Sequence, residues 1–198
     1  MKKLIILLLA ISSFLFSSSQ TLEHTFDVKF KGKSIGHLFA KKEVDGNKIM
    51  QDLRTKTEVN LIALSVHVES EVKMIKKDNA LTTSISYRHA SRGSEDIVSE
   101  ISKIDAQEYK VKRNGKEFKL EDTEISYCTV DLYFSEPKNM DKVFSSMYAE
   151  HLKIEKISPH RYKLSSPKSK DSFYTYENGK LILVEIETSV GNVKCYLI

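Results

Sequence analysis

The sequence predicts an all-β protein, a long-stranded antiparallel meander curled into a barrel or half-barrel, with one or two short helices in the 122–151 region. Three observations predict it. Apolar and polar residues alternate at period two over most of the chain, the pattern of a strand that buries one face. Turn signals such as Asp45-Gly46, Asn114-Gly115 and Asn178-Gly179 separate the alternating runs, and such pairs tolerate the positive φ of tight hairpins. No proline occurs from Leu22 to Leu120, so nothing there removes a ladder donor. About eleven or twelve long strands joined by short turns are antiparallel by connection length and must curl rather than stay flat.

The first twenty residues stand apart. Lys2 and Lys3 form a basic start, Leu4 to Phe16 an apolar run, and Ser17 to Gln20 a small polar stretch. The apolar run is shorter than the roughly 20 residues that span a bilayer. Residues 1–20 therefore read as a secretory signal peptide cut after Ser19 or Gln20, leaving 21–198 as a single β-barrel-like domain. The expected location follows: export through the Sec pathway to the periplasm or medium, without a lipid anchor because no cysteine lies near the cut. Loss of Lys2 and Lys3 lowers the net charge from +4 to +2. The remaining lysines are spread along the chain, so a nucleic-acid-binding footprint is excluded.

In chain order, Leu22, His24, Phe26, Val28 and Phe30 share one face of the first strand, and Gly32 turns the chain. A second strand runs from about Lys33 to Val44, with Gly36 inside it marking a bulge or a close backbone approach. The third, from about Lys48 to Val59, puts Ile49, Gln51, Leu53, Thr55, Thr57 and Val59 on one side. Val66, Val68, Ser70, Val72 and Met74 follow, then Leu81, Thr83, Ile85, Tyr87 and His89, then Ile97, Ser99 and Ile101. Tyr109 and Val111 lead through Asn114-Gly115 to Phe118 and Leu120. The middle changes period. Ile125, Cys128 and Leu132 recur at spacings of three and four behind Asp122 or Thr123, and Val143, Phe144, Met147, Tyr148 and His151 form a second stripe behind Asp141. Both read as short helices packed on the sheet. Hairpins through Ser158-Pro159 and Asn178-Gly179 and a last turn at Val190 to Asn192 complete the chain.

Chemistry-bearing patterns are sparse. The six histidines, His24, His37, His67, His89, His151 and His160, show no metal-ligand spacing. Glu69 and Glu71 share a charged strand face, where salt-bridge partners rather than a catalytic carboxylate pair are expected. No nucleophile elbow or Gly-rich phosphate loop occurs. No catalytic, cofactor or metal residue is assigned, and no cofactor is expected. Cys128 and Cys195 leave two alternatives open: a disulfide worth about 4 kcal/mol in the chain-entropy model, or two buried thiols packed as small hydrophobes. The apolar faces are diluted by Gln51, Thr55, Thr57, Ser70, Thr83 and His89. An unpaired buried hydroxyl or amide costs a few kcal/mol, so this dilution points to a concave wall that meets water or a ligand. Tyr87, His89, Phe118, Tyr148 and Phe173 are the lining residues expected for it.

The segments "FDVKFKGKSIGHL" (Phe26–Leu38), "LYFSEP" (Leu132–Pro137) and "FYTYENGKL" (Phe173–Leu181) resemble a family of exported bacterial proteins designated only as a domain of unknown function. The resemblance spans nearly all of the mature chain. It implies an all-β, cup-like or barrel-like envelope protein similar to lipoprotein-carrier folds, and it transfers no catalytic residue. The expected function is an exported, non-enzymatic envelope protein whose curved sheet binds a lipid or other hydrophobic small molecule. The alternative is a structural or interaction module that binds another envelope protein, and an enzyme is the third reading.

Overall fold

The structure, a computed structural model, describes residues 19–61, 64–91, 95–121, 123–167, 170–188 and 191–198. Most of the expected signal peptide lies outside them. Among the described residues, fourteen strands follow in order. The first eight are β1 (Gln20–Phe30), β2 (Lys33–Asp45), β3 (Lys48–Leu61), β4 (Leu64–Lys77), β5 (Ala80–Ala90), β6 (Ile97–Asp105), β7 (Glu108–Arg113) and β8 (Lys116–Leu120). After a long connection come β9 (Lys142–Ser145), β10 (Glu150–Ser158), β11 (Arg161–Ser166), β12 (Lys170–Glu177), β13 (Lys180–Thr188) and β14 (Gly191–Leu197). All belong to one antiparallel sheet in the order β8-β7-β6-β5-β4-β3-β2-β1-β14-β13-β12-β11-β10-β9. Neighbours in space are neighbours in sequence except where β14 pairs with β1, from Phe26 opposite Leu197 to Phe30 opposite Val193. The sheet is curled but not closed, with β8 and β9 as its edges.

Hairpin chemistry sets this meander. Asn114-Gly115 and Asn178-Gly179 both hold two successive positive φ values, the requirement of the turn whose twist matches that of paired strands. Gly36 answers a different need. Its φ is +145°, and the register slips beside it, where Val28 faces Gly36 but Lys29 faces Ser34. A Cβ at this position would lie 2.1 Å from the Lys56 carbonyl oxygen of the next strand. The bulge and the close approach expected from the sequence are both present.

The concave side of the sheet is filled by the chain's own connection between β8 and β9, together with the β9–β10 hairpin. Two packed clusters result. Phe26, Val28, Leu38, Ala40 and the inner residues of β10–β14 pack with Leu132, Tyr133 and Val143. Val72, Met74, Leu81, Ile101, Tyr109 and Val111 pack with Ile125, Cys128, Val130 and Phe144. Burying each such aliphatic or aromatic side chain contributes about 1.5–3 kcal/mol.

Two expectations are corrected. Among the described residues, 122–151 holds no α-helix, only a single 3-10 turn at Asp131–Tyr133. The second stripe is strand β9, a turn and the start of β10. Because β9 lies inside the cup, Val143 and Phe144 are both fully buried, one in each cluster, and burial on both faces imitates helical spacing. The second correction concerns β5. A register irregularity between Ile75 and Lys76 leaves Lys76 opposite Leu81 but Ile75 opposite Thr83, so one extra residue reverses the inward parity beyond Leu81. Ser84 and Ser86 are buried, while Ile85 and Tyr87 are 58% and 40% exposed. Of the two alternatives left open for Cys128 and Cys195, the structure has the buried thiols. Both thiols are free and buried, in different clusters, and burial pushes each up to about 12.

Gly36→Ala should lower the unfolding free energy by at least about 2 kcal/mol, because side chains rarely adopt this φ and the β3 backbone must move. Urea denaturation against the wild type measures it, and an unchanged midpoint would show that β3 yields freely.

Candidate functional site

Among the described residues, the buried charges meet where the connection crosses the inner wall. Lys76 extends the inward series Val72, Met74 on β4, and its side chain is only 4% exposed. Its Nζ donates to the Asp131 carboxylate and to the Ser126 carbonyl, the latter at 2.8 Å. Asp131 also accepts from Gln51 Nε2 at 3.0 Å and from the Cys128 backbone N–H at 2.6 Å. The wall thus supplies Lys76 and Gln51, and the 3-10 turn supplies Asp131. A buried ion pair needs such extra hydrogen bonds to offset desolvation.

Hydrogen bonds from outlying residues hold the connection elsewhere. The Leu81 N–H donates to the Ile125 carbonyl at 2.7 Å, the Phe144 N–H to Tyr127 at 3.0 Å, and the Thr129 N–H to Phe144 at 2.8 Å. Tyr176 Oη donates to the Leu132 carbonyl at 2.7 Å, and His24 Nδ1 lies 2.9 Å from that of Tyr133. Tyr133 stands edge-on to Phe26 and Tyr174, at 5.6 and 6.2 Å between ring centroids. Next in sequence, Glu136 is tied to the β10–β11 hairpin. Its Oε1 accepts from Tyr162 Oη at 2.8 Å and lies 3.1 Å from His160 Nδ1. Burial works to raise the Glu136 carboxyl, but the hydrogen bonds from Tyr162 and His160 and the charges of His160 and Lys138 outweigh it, so the net shift is downward. Burial, followed by Glu136 itself, pushes the Tyr162 hydroxyl up to about 12.

The lining residues expected from the sequence do not converge. Tyr87 and His89 point to the convex side, where Tyr87 faces Glu71 and Val98 across the ladder and His89 Nδ1 contacts Asp96 at 2.9 Å. Phe173 is on the same outer side, between Lys163 and Glu185, with the Arg161 guanidinium 5.4 Å from its ring centroid. Phe118 shares a face with Val111 near the open edge and is 41% exposed. Tyr148 is half-buried against the first cluster, with Arg113 6.0 Å from its ring centroid. Of the diluting polar residues, Gln51, Thr55, Thr57 and Ser70 lie on the concave wall, whereas Thr83 and His89 lie outside it. Two open hollows of about 440 and 380 Å³ sit at the rim beside Asp105, away from all of these. Lys76 and Asp131 escaped the sequence reading. Lys76 was legible as the next inward position after Met74, and Asp131 was hidden in a segment read as helical.

Removing one partner of a buried pair strands the other charge. Lys76→Met should therefore cost about 3–5 kcal/mol, and Lys76→Met combined with Asp131→Asn should cost less than Lys76→Met alone. Chemical denaturation of the two variants checks the order. For Glu136, the depressed folded value means that its stabilisation is fully present above the unfolded carboxyl value, near pH 4, and is lost as pH falls through the folded one. Glu136→Gln should flatten the acid limb of a stability-versus-pH curve; an unchanged limb would place the acid sensitivity elsewhere.

Neither a curated protein nor a solved structure shows significant similarity to this chain. A family described as a domain of unknown function, DUF6134, matches residues 26–197. That span runs from inside β1 to the end of β14 and takes in Lys76, Asp131 and Glu136 alike, so the curled sheet and its internal plug are together what the family covers, and the chain belongs to the DUF6134 family.

Proposed function

We propose that the protein is an exported, non-enzymatic component of the bacterial cell envelope that binds a hydrophobic or amphipathic small molecule against its concave wall. The observation that carries this reading is a mismatch between wall and plug. The hydroxyls of Ser84, Ser86 and Ser99 are buried on β5 and β6 without a hydrogen-bond partner among the described residues. Leaving such a group unpaired costs about 1–3 kcal/mol, and a wall serving only as a permanent dry core gains nothing from three of them. A wall that exchanges its plug for a ligand carrying polar atoms has a use for them. The exported setting is supported by the basic, apolar and small-residue order of the first twenty residues.

A second reading, an interaction module of the envelope, is favoured by the convex side. Ile85, Tyr87 and Val98 lie there as adjacent apolar side chains on β5 and β6, each at least 40% exposed.

Native mass spectrometry of the protein purified from envelopes, with lipid extraction of the same sample, separates the two. A co-purifying amphiphile released on denaturation is the expected result. An empty protein that also fails to take up 1-anilinonaphthalene-8-sulfonate or a fluorescent fatty acid would overturn the ligand reading. Cross-links lost in an Ile85→Glu/Tyr87→Glu variant of that empty protein would favour the second.

A further inference from the structure

The concave wall has a chemical bias that narrows the ligand class. Ser86 on β5 faces Ser99 on β6, and Ser99 faces Arg113 on β7, so three neighbouring strands present one row of donors. Arg88 lies two residues along β5 on the same side, opposite Ile97. Ser86 and Ser99 are 0% and 1% exposed, and neither hydroxyl has a partner among the described residues. The Arg88 Nε is likewise buried and unpartnered among the described residues, while its Nη2 donates to the Glu95 carbonyl at 3.3 Å. Arg113 donates through Nε to the Met147 carbonyl at 2.8 Å and through Nη2 to the Glu95 carboxylate at 3.0 Å. Next to Met147, in the β9–β10 turn, Ser146 is 1% exposed, with another unpaired hydroxyl.

We propose that the row formed by Arg88, Ser86, Ser99 and Arg113 is a head-group subsite for an oxyanion, and that the ligand is an anionic amphiphile. The proposal rests on the ligand reading above and specifies its chemistry. Donors of this row go without an acceptor among the described residues. Hydroxyls and a guanidinium N–H lie side by side there; the Glu95 carboxylate, 45% exposed, bonds Arg113, and the Asp96 carboxylate feels the charge of Arg88 from outside the row. A phosphate or carboxylate head supplies several acceptor oxygens for these donors, and charge-assisted bonds of this kind are about twice as strong as neutral ones. A cationic head would bring donors to donors, and a neutral head would forgo the charge-assisted bonds. Beside the row, Val72, Met74, Ile101 and Val111 form an apolar strip suited to an acyl tail. The β9–β10 turn lies at this wall through the Arg113–Met147 bond, so entry of the ligand exchanges that bond for one to the head group.

Isothermal titration of the purified chain tests the subsite, using dodecyl phosphate below its micelle concentration, dodecyl maltoside and inorganic phosphate. Dodecyl phosphate should bind at least about tenfold more tightly than dodecyl maltoside, and Ser86→Ala/Ser99→Ala or Arg88→Gln should remove most of that preference. The double alanine variant should melt no lower than the wild type without ligand, since it deletes only unpaired hydroxyls. Equal affinity for the phosphate and maltoside amphiphiles would overturn the anionic subsite and leave amphiphile binding standing. Binding of neither would overturn both readings. Inorganic phosphate binding as tightly as dodecyl phosphate would replace the amphiphile with a free anion and overturn the proposal as stated.

Discussion

The ion pair between Lys76 and Asp131 fixes how the rest of the molecule packs. Asp131 is flanked by Val130 and Leu132, and these two go to different clusters, Val130 to the one built on β4–β7 and Leu132 to the one built on β1, β2 and β10–β14. Apolar burial is non-directional and alone would let the connection slide along the wall. A carboxylate held by Lys76, Gln51 and the Cys128 N–H has one depth and one register. Hydrogen-bonded buried pairs add little net stability over an apolar replacement; here the pair sets position. With Asp131 seated, Tyr133 reaches Phe26 and Tyr174 while Ile125 and Cys128 reach the other half of the sheet.

The plug also accounts for an open sheet. A curled sheet with two edges invites pairing with other chains, and closure into a barrel would remove them. Here β9 is partly covered by the connection itself, which bridges it at Cys128 and Phe144 and exchanges the Thr129 and Phe144 backbone bonds with it. The other edge, β8, is five residues long and carries Lys116, Glu117 and Lys119, the short charged strand that discourages edge pairing. Meanwhile β1 and β14, the first and last of these strands along the chain, pair in the interior of the sheet, away from either edge.

Period-two alternation made the strand succession legible, and it placed Phe26, Val28, Phe30, Gln51, Thr57, Val72, Met74, Ile97, Ser99, Ile101, Tyr109 and Val111 on the buried side. It failed where one residue changed the phase. The extra residue in β5 is invisible in composition, because Leu81, Thr83, Ile85, Tyr87 and His89 alternate as well as any strand, and only the ladder to β4 shows that the inward set is Ser84, Ser86 and Arg88. That is why Tyr87 and His89 were expected in the lining and lie outside it. It also failed where a strand is buried on both faces. Val143 and Phe144 are adjacent and both apolar, a signature that periodicity cannot separate from a helix turn. The plug was beyond reach for a related reason: a segment that crosses a concave face has no repeat of its own, so its partners are set by tertiary geometry.

The energetics of exchanging plug for ligand explain why polar groups would decide the outcome. An acyl chain gains about 0.8 kcal/mol for each methylene it buries, but on this wall it would take the place of Met147, Ala149 and their neighbours, which would lose comparable burial on lifting. Apolar surface is traded for apolar surface, and the difference is small against either gross term. The Arg113–Met147 bond is likewise replaced rather than simply lost. What has no counterpart in the plugged state is the set of unpaired donors at Ser86, Ser99 and Arg88. Each costs about 1–3 kcal/mol while unmade, so a ligand that satisfies two or three of them gains an advantage that tail length alone does not supply. On this account the wall would select by head group, with the plug as a stand-in that covers the tail site and meets the head subsite through the Arg113–Met147 bond.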